Sequence, residues 1–448
     1  MTQARPDLVL ANARVVRKDG NVEGPADIFI ADGIITGVVG HRDASTGGGA
    51  EGKEKLGGAE VVDCTGCYVS PGLVNMHTHS PMTLFRGLAE DVRIEDWFNR
   101  RIWPYESHLS RDGAVAGALL AVAEMIDAGV TAFFDHYFFA EEIVAVARDT
   151  GMRADIAPTI FGLTPDWEDA LDRAVKLVEE TRSEAEESMV RVRIGPHAPY
   201  TCPPRVLKEC AKRAKDVGVG VHIHVSETEE QVRQSLKEHG KTPFELLADA
   251  GVLDVPVIVA HGVWISEREL PLVPDHVWFA ACPKTYMKLA SGVGHIFNVA
   301  KSLRVGIGTD GAASSNTLSP LEQARLFALL GKHCTQDATR FDLRAIWRML
   351  MQGHEALGQR TGDVAPEYEA DLVVWDLAYP GSWPVHDPLA SIIYSADSRN
   401  IRDVLVGGRF LKRGGVILAV DTRETLARAE RHKQRLLSRG PGTAQIRY

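Results

Sequence analysis

Eight short apolar runs recur through the middle of this chain, and most are separated by longer stretches of amphipathic or polar character. They fall at residues 69–76, 131–134, 154–157, 190–195, 219–225, 257–260, 277–281 and 305–308. Helical patterning fills the gaps, as at 112–128, 167–187 and 205–217. Alternation of this kind predicts parallel strands joined by helical crossovers, an α/β class. Eight such units close into a (β/α)8 TIM-like barrel, which takes about 250 residues. The chain has 448, so a second, smaller unit must accompany the barrel.

The chain ends supply that unit. Residues 8–10, 14–16, 28–30 and 34–39 are apolar runs split by turn residues, and 370–375, 403–408 and 415–418 repeat the texture. Strand-rich ends around a different middle predict a small β-sandwich domain assembled from both termini. The expected division is 1–68 for its N-terminal part, 69–364 for the barrel and 365–448 for its C-terminal part. The Gly-rich stretch 40–58 reads as a flexible surface loop.

Bulk properties exclude several roles. A formal net charge of -10, from 50 basic and 60 acidic residues, argues against nucleic-acid or anionic-membrane partners. No apolar run reaches the roughly 18 residues needed to span a bilayer. Residues 1–27 lack a basic region followed by an apolar stretch, so the expected location is cytoplasmic. Cys64 and Cys67 form one C-x-x-C with no second pair to complete a zinc site, and they read as small residues in a β-rich stretch.

The informative residues sit where the strands end. Chemistry in such barrels occurs at the C-terminal rim. There the first run delivers His77 and His79, the fourth His197, the fifth His222 and His224 followed by Glu227, the sixth His261 and the eighth Asp310. Residues two apart on a strand share a face, so His77 and His79 can both enter the barrel mouth. Neutral imidazoles with one carboxylate suit zinc or iron. His77, His79, one histidine of the fifth strand and Asp310 would give four protein ligands to one divalent metal, Zn2+ or Fe2+, and leave room for water. Parity does not separate His222 from His224. The spacing His224-Val225-Ser226-Glu227 favours His224, because it sets a carboxylate just past the strand end beside the metal water. His222 then lies one layer deeper, as packing.

Several motifs resemble the amidohydrolase superfamily. They include Ser70-Pro71-Gly72-Leu73-Val74-Asn75-Met76-His77-Thr78-His79, Phe85-Arg86-Gly87-Leu88-Ala89, Gly195-Pro196-His197-Ala198-Pro199-Tyr200, His224-Val225-Ser226-Glu227, Ala260-His261-Gly262 and Gly308-Thr309-Asp310-Gly311-Ala312-Ala313-Ser314. The branch resembled holds triazine hydrolases and nucleobase deaminases, and within it the S-adenosylhomocysteine/5'-methylthioadenosine deaminases. The resemblance implies a single zinc or iron. A two-metal site would need a bridging Lys on the fourth strand, and 190–195 contains none. It also implies that His77, His79, His224 and Asp310 ligate, that Glu227 shuttles protons and that His261 polarises or orients the attacking water. Trp97, His197 and Ser314 would line the substrate pocket. Glu106 would bind ribose hydroxyls and Arg153 would meet the substrate tail. His136, just past the second strand, is placed either in the pocket or on the surface.

The implied reaction is hydrolytic deamination of an aminated N-heterocycle, foremost an adenine-type purine nucleoside. A metal brings the pKa of coordinated water toward about 7. Asp310 takes the water proton, Glu227 protonates a ring nitrogen, and the amine leaves as ammonia. Two departures bear on substrate. Residues 281–289 read Ala-Cys-Pro-Lys-Thr-Tyr-Met-Lys-Leu where the family often has His-Asn-Pro-x-Ser-Asn, and no second arginine for a homocysteine carboxylate is evident after Phe161. Two alternatives stay open: removal of chloride, alkylamine or thiomethyl from a triazine or pyrimidine, and a catalytically inactive scaffold. The expected partners are a small heterocyclic molecule and, by resemblance, further copies of the chain as a dimer or tetramer.

Overall fold

A computed structural model describes residues 6–40, 58–183 and 189–443. The stretch read as a loop, 40–58, lies almost wholly outside the described residues. The eight barrel strands are β1 (Leu73–Thr78), β2 (Val130–Tyr137), β3 (Arg153–Ile160), β4 (Val190–Val192, continued at Gly195–Pro196), β5 (Val221–Val225), β6 (Val257–His261), β7 (Val277–Ala281) and β8 (Arg304–Ile307). They pair in parallel as two arcs, β1 to β4 and β5 to β8. The arcs meet through a bridge between Ile194 and Val221 on one side. On the other side, the Thr309 and Asp310 amides both donate to the His77 carbonyl. Gly308 allows this approach, because a Cβ there would lie 2.9 Å from the His77 backbone nitrogen and Cβ.

The first strand departs from expectation. Residues 69–76 do not form one strand: Tyr68–Pro71 belongs to the sheet of the chain ends, and β1 begins only at Leu73. The break falls at Gly72, whose amide donates to the Asp371 carbonyl, whereas the next amide donates to Gly129 inside the barrel. A Cβ on Gly72 would sit 2.1 Å from Thr131 Oγ1, so glycine is required where the chain changes sheets.

The chain ends form one hydrogen-bonded sheet of nine strands. Tyr68–Pro71 pairs with Leu372–Trp375 in register Val373 to Ser70, which joins the N-terminal and C-terminal contributions. Side chains from Leu8, Ile28, Ile35, Val69, Leu372 and Leu405 meet in a single apolar core, so the sheet folds over on itself. The runs 8–10 and 14–16 merge into one strand, Leu8–Val16, interrupted by register shifts near Asn12, which adopts φ 60°. The Cys64 and Cys67 thiols both face the Arg402 guanidinium, at 3.2 and 3.5 Å. No helix among the described residues is long and apolar enough to cross a membrane.

Inside the barrel, Val74, Met76, Ala132, Phe134, Ile258, Trp278 and Ala280 form the lower layer, closed by Ala356 and Leu357. A register shift between Asn75 and Thr78 adds a residue to β1 relative to β2. That bulge turns His77 inward directly after Met76.

Candidate metal centre

β5 carries His222 in register with Ile258 of the lower layer and His224 in register with Ala260, one level nearer the rim. His222 is therefore the deeper of the two, but it does more than pack. Its Nε2 lies 2.9 Å from His77 Nδ1. The other inner imidazoles are anchored in the same way: His79 Nδ1 donates to the His136 carbonyl at 2.5 Å, and His224 Nδ1 donates to the His197 carbonyl at 2.8 Å. Each anchor fixes a ring and turns its Nε2 lone pair toward the barrel axis.

Those lone pairs converge. His224 Nε2 is 3.3 Å from His79 Nε2, and Asp310 Oδ1 is 3.2 Å from His79 Nε2 and 3.6 Å from His77 Nε2. His77 Nε2 is fully buried and has no hydrogen-bond partner. Facing lone pairs beside a carboxylate repel one another unless a positive charge lies among them. The set therefore fits a divalent cation. Ligand atoms group within 4.8 Å in three overlapping triads: His77, His79 and Asp310; His77, His224 and His261; and His79, His136 and His224.

Electrostatics agree. Burial pushes His77 down to about 3 and holds His224 well below the ordinary imidazole range, so both are neutral, the form that binds metals. Burial disfavours charge on Asp310 too, yet the imidazoles of His79 at 3.2 Å and His77 at 3.6 Å keep its carboxylate well below the usual range. The same carboxylate raises His79 against the effect of burial, so a proton is drawn to the point where a cation would sit.

Three rim residues adopt left-handed backbone: Ser226 at φ 50°, His261 at 73° and Asp310 at 61°. Side chains with Cβ take this region only when their surroundings hold them there. The Asp310 carboxylate is held on both oxygens. Gly311 N donates to Oδ1 at 2.8 Å, and the Thr285 and Ser314 hydroxyls donate to Oδ2 at 3.0 and 2.6 Å. Glu227 Oε1 lies 3.9 Å from His261 Nε2, and burial raises the Glu227 carboxyl above its ordinary value. Both residues border the cleft that also exposes His79, His224 and Asp310.

The outer residues divide. Trp97, Glu106, His136 and His197 line this cleft. His136 is buried, which settles the choice between pocket and surface. Glu106 accepts a hydrogen bond from the Tyr137 hydroxyl, and burial pushes it up to about 7. Ser314 borders the cleft, but its hydroxyl proton goes to Asp310, so it braces that carboxylate rather than offering the proton to the cleft. Arg153 is misplaced by the sequence reading. It opens β3 at the opposite, N-terminal end of the barrel, buried against Asp371 at 2.8 Å and paired with Glu369. An arginine at the start of a barrel strand cannot reach a site built at the strand ends.

Sequence reasoning also missed contributors. Tyr137 follows His136 at a strand end and was available to the same logic. Thr285 lies in the stretch noted as a departure. Nothing in the sequence marks Tyr286, whose ring meets His261 edge-on at 5.8 Å and whose hydroxyl accepts from Cys282 N at 2.7 Å.

Residues 68–411 match the amidohydrolase family profile, and the chain belongs to that family. Among its relatives, the 5-methylthioadenosine/S-adenosylhomocysteine deaminase of Desulforudis audaxviator is 37% identical over 383 residues, which cover 84% of this chain and 89% of that one. The 5'-deoxyadenosine deaminase of Methanothermobacter thermautotrophicus is 36% identical over 83% of this chain and 88% of its own. A zinc-bound adenosine deaminase from Xanthomonas campestris superposes with a TM-score of 0.90 at 29% identity, covering 97% of this chain and 99% of that structure.

Proposed function

We propose that this chain is a hydrolytic deaminase of adenine-type nucleosides, with one zinc ion held by His77, His79, His224 and Asp310. The observation that carries the reading is the convergence of three anchored imidazoles and one carboxylate, with His77 Nε2 buried and unpartnered. The relatives named above supply the substrate class, since they act on adenosine derivatives.

When bound, the cation supplies a Lewis acid that lowers the pKa of water at the rim. The remaining work belongs to side chains. Glu227 holds a proton more readily than an ordinary carboxyl and sits beside His261, so it can deliver that proton to a ring nitrogen and carry a second to the departing amine. His261 orients the water. Asp310 Oδ1 faces the reacting centre, while Thr285 and Ser314 occupy Oδ2 and keep the carboxylate from rotating. Trp97 and His197 flank the base, and Glu106 meets the ribose hydroxyls. The deep imidazole of His222 orients His77.

Ammonia release from adenosine, 5'-deoxyadenosine, guanine, cytosine, pterins and aminotriazines by zinc-loaded protein tests this reading. Release from the adenosine compounds in preference to the rest is expected. Folded, metal-loaded protein that releases ammonia only from triazines, or from none of these, would overturn it.

A further inference from the structure

Away from the metal cleft, the helix Arg111–Asp127 packs against the helix Thr422–Arg439. A notch of about 80 Å³ lies between them, where the first of these helices begins. Its polar lining is His108, Ser110, His432, Arg435 and Arg439, with no carboxylate. Four basic side chains thus meet in a chain whose net charge is -10. Asp112, whose charge acts on His432, stands outside the lining.

These groups lack partners. The side chains of His108 and Arg435 make no hydrogen bond or ion pair among the described residues. Arg439 donates only to the His108 carbonyl, at 3.3 Å. His432 is 8% exposed, yet its ring has no hydrogen-bond partner among the described residues either. A buried polar ring of this kind costs stability unless something satisfies it. Its Nδ1 faces the first turn of the neighbouring helix, since a Cβ on Gly113 would lie 3.6 Å from it. Ser110 caps that helix by accepting from Gly113 N at 3.2 Å. The Arg111 and Asp112 amides come before the first intrahelical bond, and such amides with the helix dipole favour an anion.

We propose that the notch binds a tetrahedral oxyanion, as inorganic phosphate or the terminal phosphoryl of a phosphomonoester. Arg435 and Arg439 supply charge and donors that match phosphate geometry. The His432 ring and the first helical amides complete the contacts. The volume admits such an anion and falls well short of the roughly 300 Å³ at which pockets take larger molecules. Leu109 lines this notch and also a chamber that Glu106 borders, so the anion would neighbour the stretch carrying that residue.

Calorimetric titration of the zinc-loaded protein with phosphate and with glycerol 3-phosphate, at ionic strength matched by sodium chloride, tests the proposal. One saturable phosphate site per chain with Kd at or below about 1 mM is expected. Glycerol 3-phosphate binding as tightly would assign the notch to a phosphomonoester, and its exclusion would assign it to free phosphate. Arg435→Ala/Arg439→Ala removes two exposed side chains and should weaken phosphate at least about tenfold. His432→Phe keeps the ring's bulk without its nitrogens and should weaken it about tenfold. The site should survive in His79→Ala/Asp310→Ala. No saturable binding up to about 10 mM, an affinity unchanged in either folded notch variant, or loss of the site in the His79 and Asp310 variant would overturn the proposal.

Discussion

The two ends of this barrel bury polar groups for opposite reasons. At the N-terminal floor, Arg153 meets Asp371 through two nitrogens, and Arg193 meets Asp155 at 2.8 Å. Asp371 also accepts from Gly407 N, so the floor charges are matched and tie the barrel to the sheet of the chain ends. At the C-terminal rim, His77 Nε2, His136 Nε2 and His261 Nδ1 are buried without partners, and lone pairs face one another. Matched burial at the floor is structural. Unmatched burial at the rim is free energy left for a ligand to satisfy.

Substitutions at the two ends should therefore fail in different assays. The largest effect is expected at the rim: Glu227→Gln should lower kcat by about 10²–10⁴-fold while leaving metal content and melting temperature near the parent's. Full activity in that variant would remove Glu227 from the chemistry. At the floor, Arg153→Met leaves the Asp371 carboxylate buried without its counter-charge and should cost about 3–5 kcal/mol in urea unfolding. A loss of activity in the folded fraction, without a loss of stability, would erase the distinction between the ends.

Two smaller effects are expected within the rim. His222→Leu strips His77 Nδ1 of its anchor and should weaken zinc affinity about 10–100-fold, read by competition with a chelator. Unchanged affinity would return His222 to a packing role. Burial lifts Glu106 from its ordinary 4.5 to about 7, so between those values the folded protein keeps a proton that the unfolded chain has released. Stability must then fall as pH rises through that window. Glu106→Gln should unfold later than the parent at about pH 8, by on the order of 2 kcal/mol, and alongside it at about pH 4. Parallel pH profiles for the two proteins would show that Glu106 is ordinary.

The rim was legible in the sequence because strand ends are. A histidine or aspartate that closes an apolar run lands at one end of a parallel barrel whatever the loops do, and His77, His79, His197, His224, His261 and Asp310 all follow that rule. Arg153 failed it because the resemblance, rather than its position at the start of a run, assigned its role. The bulge in β1 and the crossing at Gly72 were not legible, since both depend on contacts with distant segments, Phe133 and Asp135 in one case and Thr131 in the other. Anchors such as His222 on His77, Thr285 on Asp310 and Tyr137 on Glu106 are distances between separate strands and loops, which local patterning does not encode.

If the rim is built for a ligand, His77, His79, His224 and Asp310 share one cation. Titration of metal-free protein with zinc, followed by calorimetry, tests it directly. One equivalent per chain is predicted, lost in the double variant His79→Ala/Asp310→Ala and kept in Glu227→Gln. Stoichiometric zinc in that double variant, or none in the parent, would contradict it.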